Sequence, residues 1–167
     1  MKIADVLLLD YDSEIAATRR ILALVPDDKA DWKPHEKSFT ISKLALHVAT
    51  LPRFGNVIIT KPHWDMAVDK LPVPVYESTA NTLAQLDQYS AEARKALAAA
   101  TDADLEQKWK FSFGDKVILE LPRMTCWRSL FFNHMMHHRS QLLVYLRLLN
   151  IPLPATYGPS ADDRMGF

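Results

Sequence analysis

Apolar residues recur at spacings of three and four from Ile3 to Val25, through Leu8, Tyr11, Ile15, Leu22 and Val25, with Thr18 as the polar member of the series. That period predicts a first amphipathic helix, which Pro26 stops. The polar stretch Asp27 to Lys37 reads as a loop with one helical turn around Asp28 to Trp32. A second helix is expected to start near Thr40, a good cap, with a seam of Leu44, His47, Leu51, Phe54 and Ile58 and a bend at Pro52. The third follows the cap Ser78 along Leu83, Leu86, Ser90, Ala93, Leu97 and Ala100, several of them small enough for a neighbour to approach closely.

Residues 61–77 carry Pro62, Pro72 and Pro74 without a sustained period and read as an extended connector. Seventeen residues reach roughly 55 Å, beyond the roughly 30 Å of a twenty-residue helix, so helices 2 and 3 are expected to run parallel. Beyond Thr101, Trp109, Phe111 and Phe113 alternate, Gly114-Asp115 signals a turn, and Val117, Leu119 and Leu121 alternate again. This pattern predicts a short β-hairpin. Pro122 suits the first turn of a fourth helix running to Leu149, with a seam of Trp127, Phe131, His134, His138, Gln141, Tyr145 and Leu148. Asn150 and Pro152 end it, and Ala155 to Phe167 read as a tail laid over the surface. The expected fold is all-α: one four-helix-bundle domain over residues 1–167, with a β-hairpin between helices 3 and 4.

Composition narrows the function classes. With 49% hydrophobic and 24% charged residues over 167 positions, the chain has enough apolar surface for a core. Twenty basic residues balance twenty acidic ones, so no net field draws it onto phosphate backbones or anionic lipid, and neither nucleic acid nor membrane is an expected partner. The single cysteine, Cys126, excludes an intrachain disulfide, fits a cytoplasmic location and reads as a buried, inert thiol. There is no glycine-rich phosphate loop, Gly-x-Ser-x-Gly elbow or Cys-x-x-Cys pair.

What breaks the pattern is histidine on bundle seams. His134 and His138, four apart, lie about 40° apart in projection and about 6 Å apart along a helix, close enough to share a metal ion. His47 sits on the seam of helix 2 and offers a third nitrogen. Each buried polar group without a partner costs on the order of 1–3 kcal/mol, and a divalent cation is one partner that removes this cost. Satisfied core histidines are the plainer explanation of each residue taken singly. His137, about 60° from His134, offers a competing pair, and Gln141 either fixes an imidazole tautomer or packs between helices. His35 and His63 fall in loops and are expected to be solvated.

The stretch Asn133-His134-Met135-Met136-His137-His138-Arg139-Ser140-Gln141-Leu142, followed by Tyr145 to Pro152, resembles the last helix of the DinB-like (DNA-damage-inducible, YfiT-related) metalloprotein superfamily. Pro34 to Thr40 leading into Leu44 to Ala49, and the ending Tyr157 to Asp162, resemble it too; Ser140 departs from the glycine common there. The resemblance implies an up-down-down-up bundle, a frequent homodimer, and one divalent metal ion (Ni, Zn, Mn or Fe) on His47, His134 and His138 with water in the open positions. Some relatives transfer low-molecular-weight thiols such as bacillithiol or mycothiol, and some isomerise maleylpyruvate with such a thiol. The family name gives no licence to infer DNA binding. Three neutral ligands leave an ion's charge uncancelled, which favours ionisation of a bound thiol or water. The expected function is therefore that of a divalent-metal-binding enzyme (thiol S-transferase, isomerase or hydrolase) activating a thiol or water toward a small electrophile. The alternative is a non-catalytic metal-binding bundle for stress response.

Overall fold

Helix α1 spans Ile3–Leu22 in the computed structural model, which describes residues 2–165. Met1, and Gly166 and Phe167 at the end of the expected tail, lie outside the described residues. After a 3₁₀ turn at Asp27–Lys29 comes α2 (Ile41–Thr60), where the Thr40 hydroxyl accepts the Lys43 N–H at 3.2 Å. Ser78 plays the same part for α3 (Thr79–Ala99), accepting from Asn81 at 3.1 Å. Both caps satisfy backbone donors that a helix start leaves free. Pro52 lies inside α2, as its seam on either side requires. A short α4 (Asp102–Glu106), closed by a Thr101/Asp104 capping box, has no apolar period of its own and escaped the sequence reading.

The sheet is larger than the expected hairpin. Strands β2 (Lys108–Phe113) and β3 (Lys116–Pro122) pair antiparallel, and β1 (His63–Asp65), drawn from the connector, adds to β2 in parallel. An irregularity between Phe111 and Ser112 shifts the register and switches the inward face, so Trp109 and Ser112 are buried while Phe113 is exposed. Gly114 takes a positive φ of 56° at the turn, a backbone shape that favours glycine, and its N–H donates to Asp65 Oδ1 at 2.8 Å.

Pro122 ends β3 instead of opening a helical turn, and the last helix starts at Arg123. It runs through α5 (Arg123–Cys126), a π-helical segment (Trp127–Phe132) and α6 (Asn133–Leu148). The π segment corrects the expected seam. A wider turn takes up one extra residue, so beyond Phe131 the buried positions become Met135, Arg139, Leu142 and Leu146. Gln141 and Leu148 are exposed, and His134 and His138 are half-buried at the seam's edge.

Specific pairs hold the helices in place. Arg19 meets Asp87 at 2.8 Å and Arg94 meets Asp12 at 2.7 Å across α1 and α3; both are exposed and add little stability. Between α1 and α6 lies a buried pair, Arg139 with Glu14 at 2.6 Å, completed by the Tyr157 hydroxyl, which accepts from Arg139 and donates to Glu14. Arg123 donates to the carbonyls of Ile58, Ile59 and Lys61, filling acceptors that the end of α2 leaves open. Where α2 crosses the last helix, Gly55 makes room for Phe131: a Cβ there would lie 2.5 Å from the ring's Cδ1. Gly55→Ala is therefore expected to cost about 1–3 kcal/mol through overpacking. A urea denaturation midpoint equal to that of the parent protein would show that the Phe131 ring moves aside freely.

Candidate metal centre

Antiparallel pairing of local contacts, Gly55 with Phe131 and Ile58 with Arg123, brings the first half of α2 opposite the start of α6. His47 thereby meets His134 and His138, whose fourfold spacing places them on successive turns of one face. One ring nitrogen of each lies within 4.8 Å of the other two. His134 Nε2 is 2.8 Å from His138 Nε2 and 3.4 Å from His47 Nε2. Nitrogens bound at about 2.0–2.1 Å to one ion sit about 2.9 Å apart at a right angle and about 3.4 Å apart at the tetrahedral angle. The two observed separations match this pair of values, so the residues fit a divalent cation.

Their other nitrogens reinforce the fit. His134 Nδ1 lies 3.3 Å from the Leu130 carbonyl, which can only accept, so Nδ1 carries the proton and Nε2 the lone pair. His138 Nδ1 donates to Gln141 Oε1 at 2.8 Å, while the Gln141 amide donates to His137 Nε2 at 3.0 Å. With Gln141 in this orientation, both His134 and His138 present bare Nε2 lone pairs to each other. Such a pair repels unless a proton or a cation stands between them. Tautomer-fixing partners of this kind usually accompany metal-ligating histidines.

Burial, followed by the neighbouring His138 and His134, lowers the pKa of His47 to about 4. Burial also holds His138 below the usual histidine value; His134 and His137 push the same way and the Gln141 hydrogen bond opposes them. Neutral imidazole is the ligating form, so both shifts favour metal binding.

The remaining candidates separate from the trio. His137 is exposed and its Nε2 is engaged by Gln141, so it belongs to the surrounding hydrogen-bond network; His35 and His63 are exposed. Cys126 is buried beside the carbonyls of Leu121 and Trp109, and burial pushes its thiol pKa up. The Leu130 carbonyl went unread in the sequence because its availability depends on the π turn, which has no residue signature.

The DinB family profile matches residues 4–164. The chain belongs to the DinB family. None of the curated proteins matches it. Among solved structures, this DinB-family chain is similar to a DinB-like protein from Bacillus subtilis, 18% identical, with a TM-score of 0.67 over 94% of this chain and 98% of that one. It is also similar to a DinB-like protein from Bacillus cereus ATCC 10987, 21% identical, with a TM-score of 0.66 over 90% and 95%. At these identities the likeness is one of fold. No helix among the described residues is long and apolar enough to cross a membrane.

Acid should destabilise the metal-free protein. The unfolded chain takes up the His47 proton near the ordinary value of 6.5 and the folded chain only near pH 4. Between those values the unfolded state holds more protons, so the contribution is complete above pH 6.5 and is lost as pH falls toward 4. Urea midpoints of chelator-treated protein should drop across this window, and His47→Gln should flatten the slope. An unchanged slope in that variant would place the acid sensitivity elsewhere.

Proposed function

We propose that the protein binds one divalent cation, nickel, zinc, manganese or iron, through Nε2 of His47, His134 and His138, and that the centre activates a thiol or water toward a small electrophile. The observation that carries this reading is the set of facing nitrogens at 2.8 and 3.4 Å, with the His134 proton committed to Leu130. When bound, such a cation supplies Lewis acidity, which makes a thiol or water a better nucleophile near neutral pH. His134 and His138 offer lone pairs in a fixed tautomer, Gln141 holds the His138 ring, and burial keeps His47 neutral. Phe39, edge-on to His47 with ring centroids 6.3 Å apart, limits solvent on one side.

The same proposal includes an up-down-down-up order of α1, α2, α3 and the last helix. Arg19 with Asp87 and Asp12 with Arg94 support opposed directions for α1 and α3, and Arg139 with Glu14 and Arg128 with Asp10 support a common direction for α1 and the last helix. A low-molecular-weight thiol as co-substrate, a homodimeric assembly and a cytoplasmic location complete the proposal. A metal-binding bundle without catalysis is the competing function, favoured by the neutrality of Gln141 and Thr50 beside the trio, since neither is a general acid or base near pH 7.

Metal analysis of untagged protein decides the ligands. One equivalent is expected in the parent and in His137→Ala, with loss in His47→Ala, His134→Ala and His138→Ala. An empty His137→Ala beside a full His138→Ala would make the ligand pair three apart and overturn the assignment.

Catalysis is tested by thiol consumption in the presence of small electrophiles. Turnover should need added thiol and persist in Cys126→Ser, whose thiol lies buried among backbone carbonyls. Lost turnover with metal retained would give the cysteine a chemical role, and metal binding without turnover across the electrophile panel would favour the non-catalytic bundle.

A further inference from the structure

Lys43, His47, Thr50 and Arg53 form one stripe along α2, and all four line an open cavity of about 240 Å³ together with Phe39, Leu46, Val73 and Pro74. The stripe spans about 15 Å of helix, with Lys43 about 6 Å to one side of His47 and Arg53 about 9 Å to the other. None of the lining residues is acidic, and neither cation has an ion-pair partner among the described residues. Lys43 Nζ lies 4.5 Å from the Phe39 ring centroid. The Arg53 guanidinium lies 5.0 Å from the Tyr89 ring and donates through Nη1 to the Pro72 carbonyl at 2.9 Å. Its Nε is buried with no hydrogen-bond partner. Two cations without an acidic partner on one cavity wall give it a positive field, and an anion entering it meets charge-assisted donors. Apolar Val73, Pro74 and Leu46 complete the wall, so the ligand that fits carries hydrocarbon as well as charge.

We infer that this cavity is an anion subsite beside the three histidines, in which Lys43 and Arg53, to either side of His47, attract the carboxylate of a small, partly apolar molecule. The role of that molecule as substrate rests on the proposed metal centre; its binding by the two cations does not. The cavity volume suits something smaller than a drug-sized ligand, which makes six-carbon probes appropriate.

The test is calorimetric titration of hexanoate and of hexanol into the chelator-treated and the zinc-loaded protein at low salt. Hexanoate should bind both forms and hexanol about tenfold more weakly or not at all. Lys43→Met and Arg53→Gln should each weaken hexanoate binding about tenfold, with the equivalents of zinc taken up unchanged. Lys43 is exposed, so Lys43→Met keeps the test decisive if Arg53→Gln, which loosens the connector, folds poorly. Hexanoate bound only by the zinc-loaded form, and equally well by both variants, would make the metal its ligand and overturn the subsite while leaving the metal centre standing. Absence of binding in both forms also overturns it. Hexanoate bound by a chain that takes up no zinc would uphold the subsite and remove the metal centre.

Discussion

The distance between α2 and the last helix governs everything built on them. It is set where the Phe131 ring occupies the space that a side chain at Gly55 would fill. A wider crossing would separate His47 from the pair on α6, and nitrogens farther apart than about 4.2 Å, twice the bond length, cannot share one small cation. The backbone of one helix pressed against an aromatic ring of the other thus fixes the span of a polar site two turns away. Close packing makes such a contact stiff, because the interior has few voids into which the ring can retreat. Arg123, tying the carbonyls at the end of α2 to the start of the last helix, secures the same crossing from its other end.

A second polar device sits on the opposite side of the last helix. Arg139 is buried, with Glu14, Thr18 and Tyr157 satisfying its donors. Buried ion pairs of this kind contribute little net stability, yet breaking one by removing a single partner costs about 3–5 kcal/mol. Its structural effect is rotational. With Arg139 committed to α1, the adjacent His138 is turned about 100° away, toward α2. The histidine pair is therefore aimed by a residue that contributes no ligand. The tail, through Tyr157, takes part in holding that aim.

Much of this was legible in the residues because the relevant physics is local. Thr40 and Ser78 announce helix starts through the chemistry of their hydroxyls, and the three- and four-residue period marks α1, α2 and α3. His47, His134 and His138 stood out because imidazoles interrupt apolar seams, and the fold places them together. What the sequence hid depends on partners far along the chain or on backbone state. β1 is three residues taken from a proline-bearing connector, and its pairing with β2 is a long-range event with no pattern of its own. The register shift at Phe111/Ser112 reverses an alternation that otherwise predicts the opposite face for Phe113. Arg139 reads as a surface charge until Glu14 and Tyr157 are seen to surround it.

The π segment has one further consequence, which concerns the length of the chain and not its composition. Residues Trp127–Phe132 absorb one position more than an α-helical turn would, and every residue after them inherits that offset. Most substitutions there alter packing alone and leave the offset in place. Loss of one codon from the segment would let ordinary winding return with the downstream faces kept, whereas ordinary winding at the present length would turn the downstream helix by about 100°. His134 and His138 would then leave the cleft, and Arg139 its partners on α1, with none of these side chains altered. Across evolutionary drift, this stretch can lose its extra residue and its wide turn together, but neither one alone.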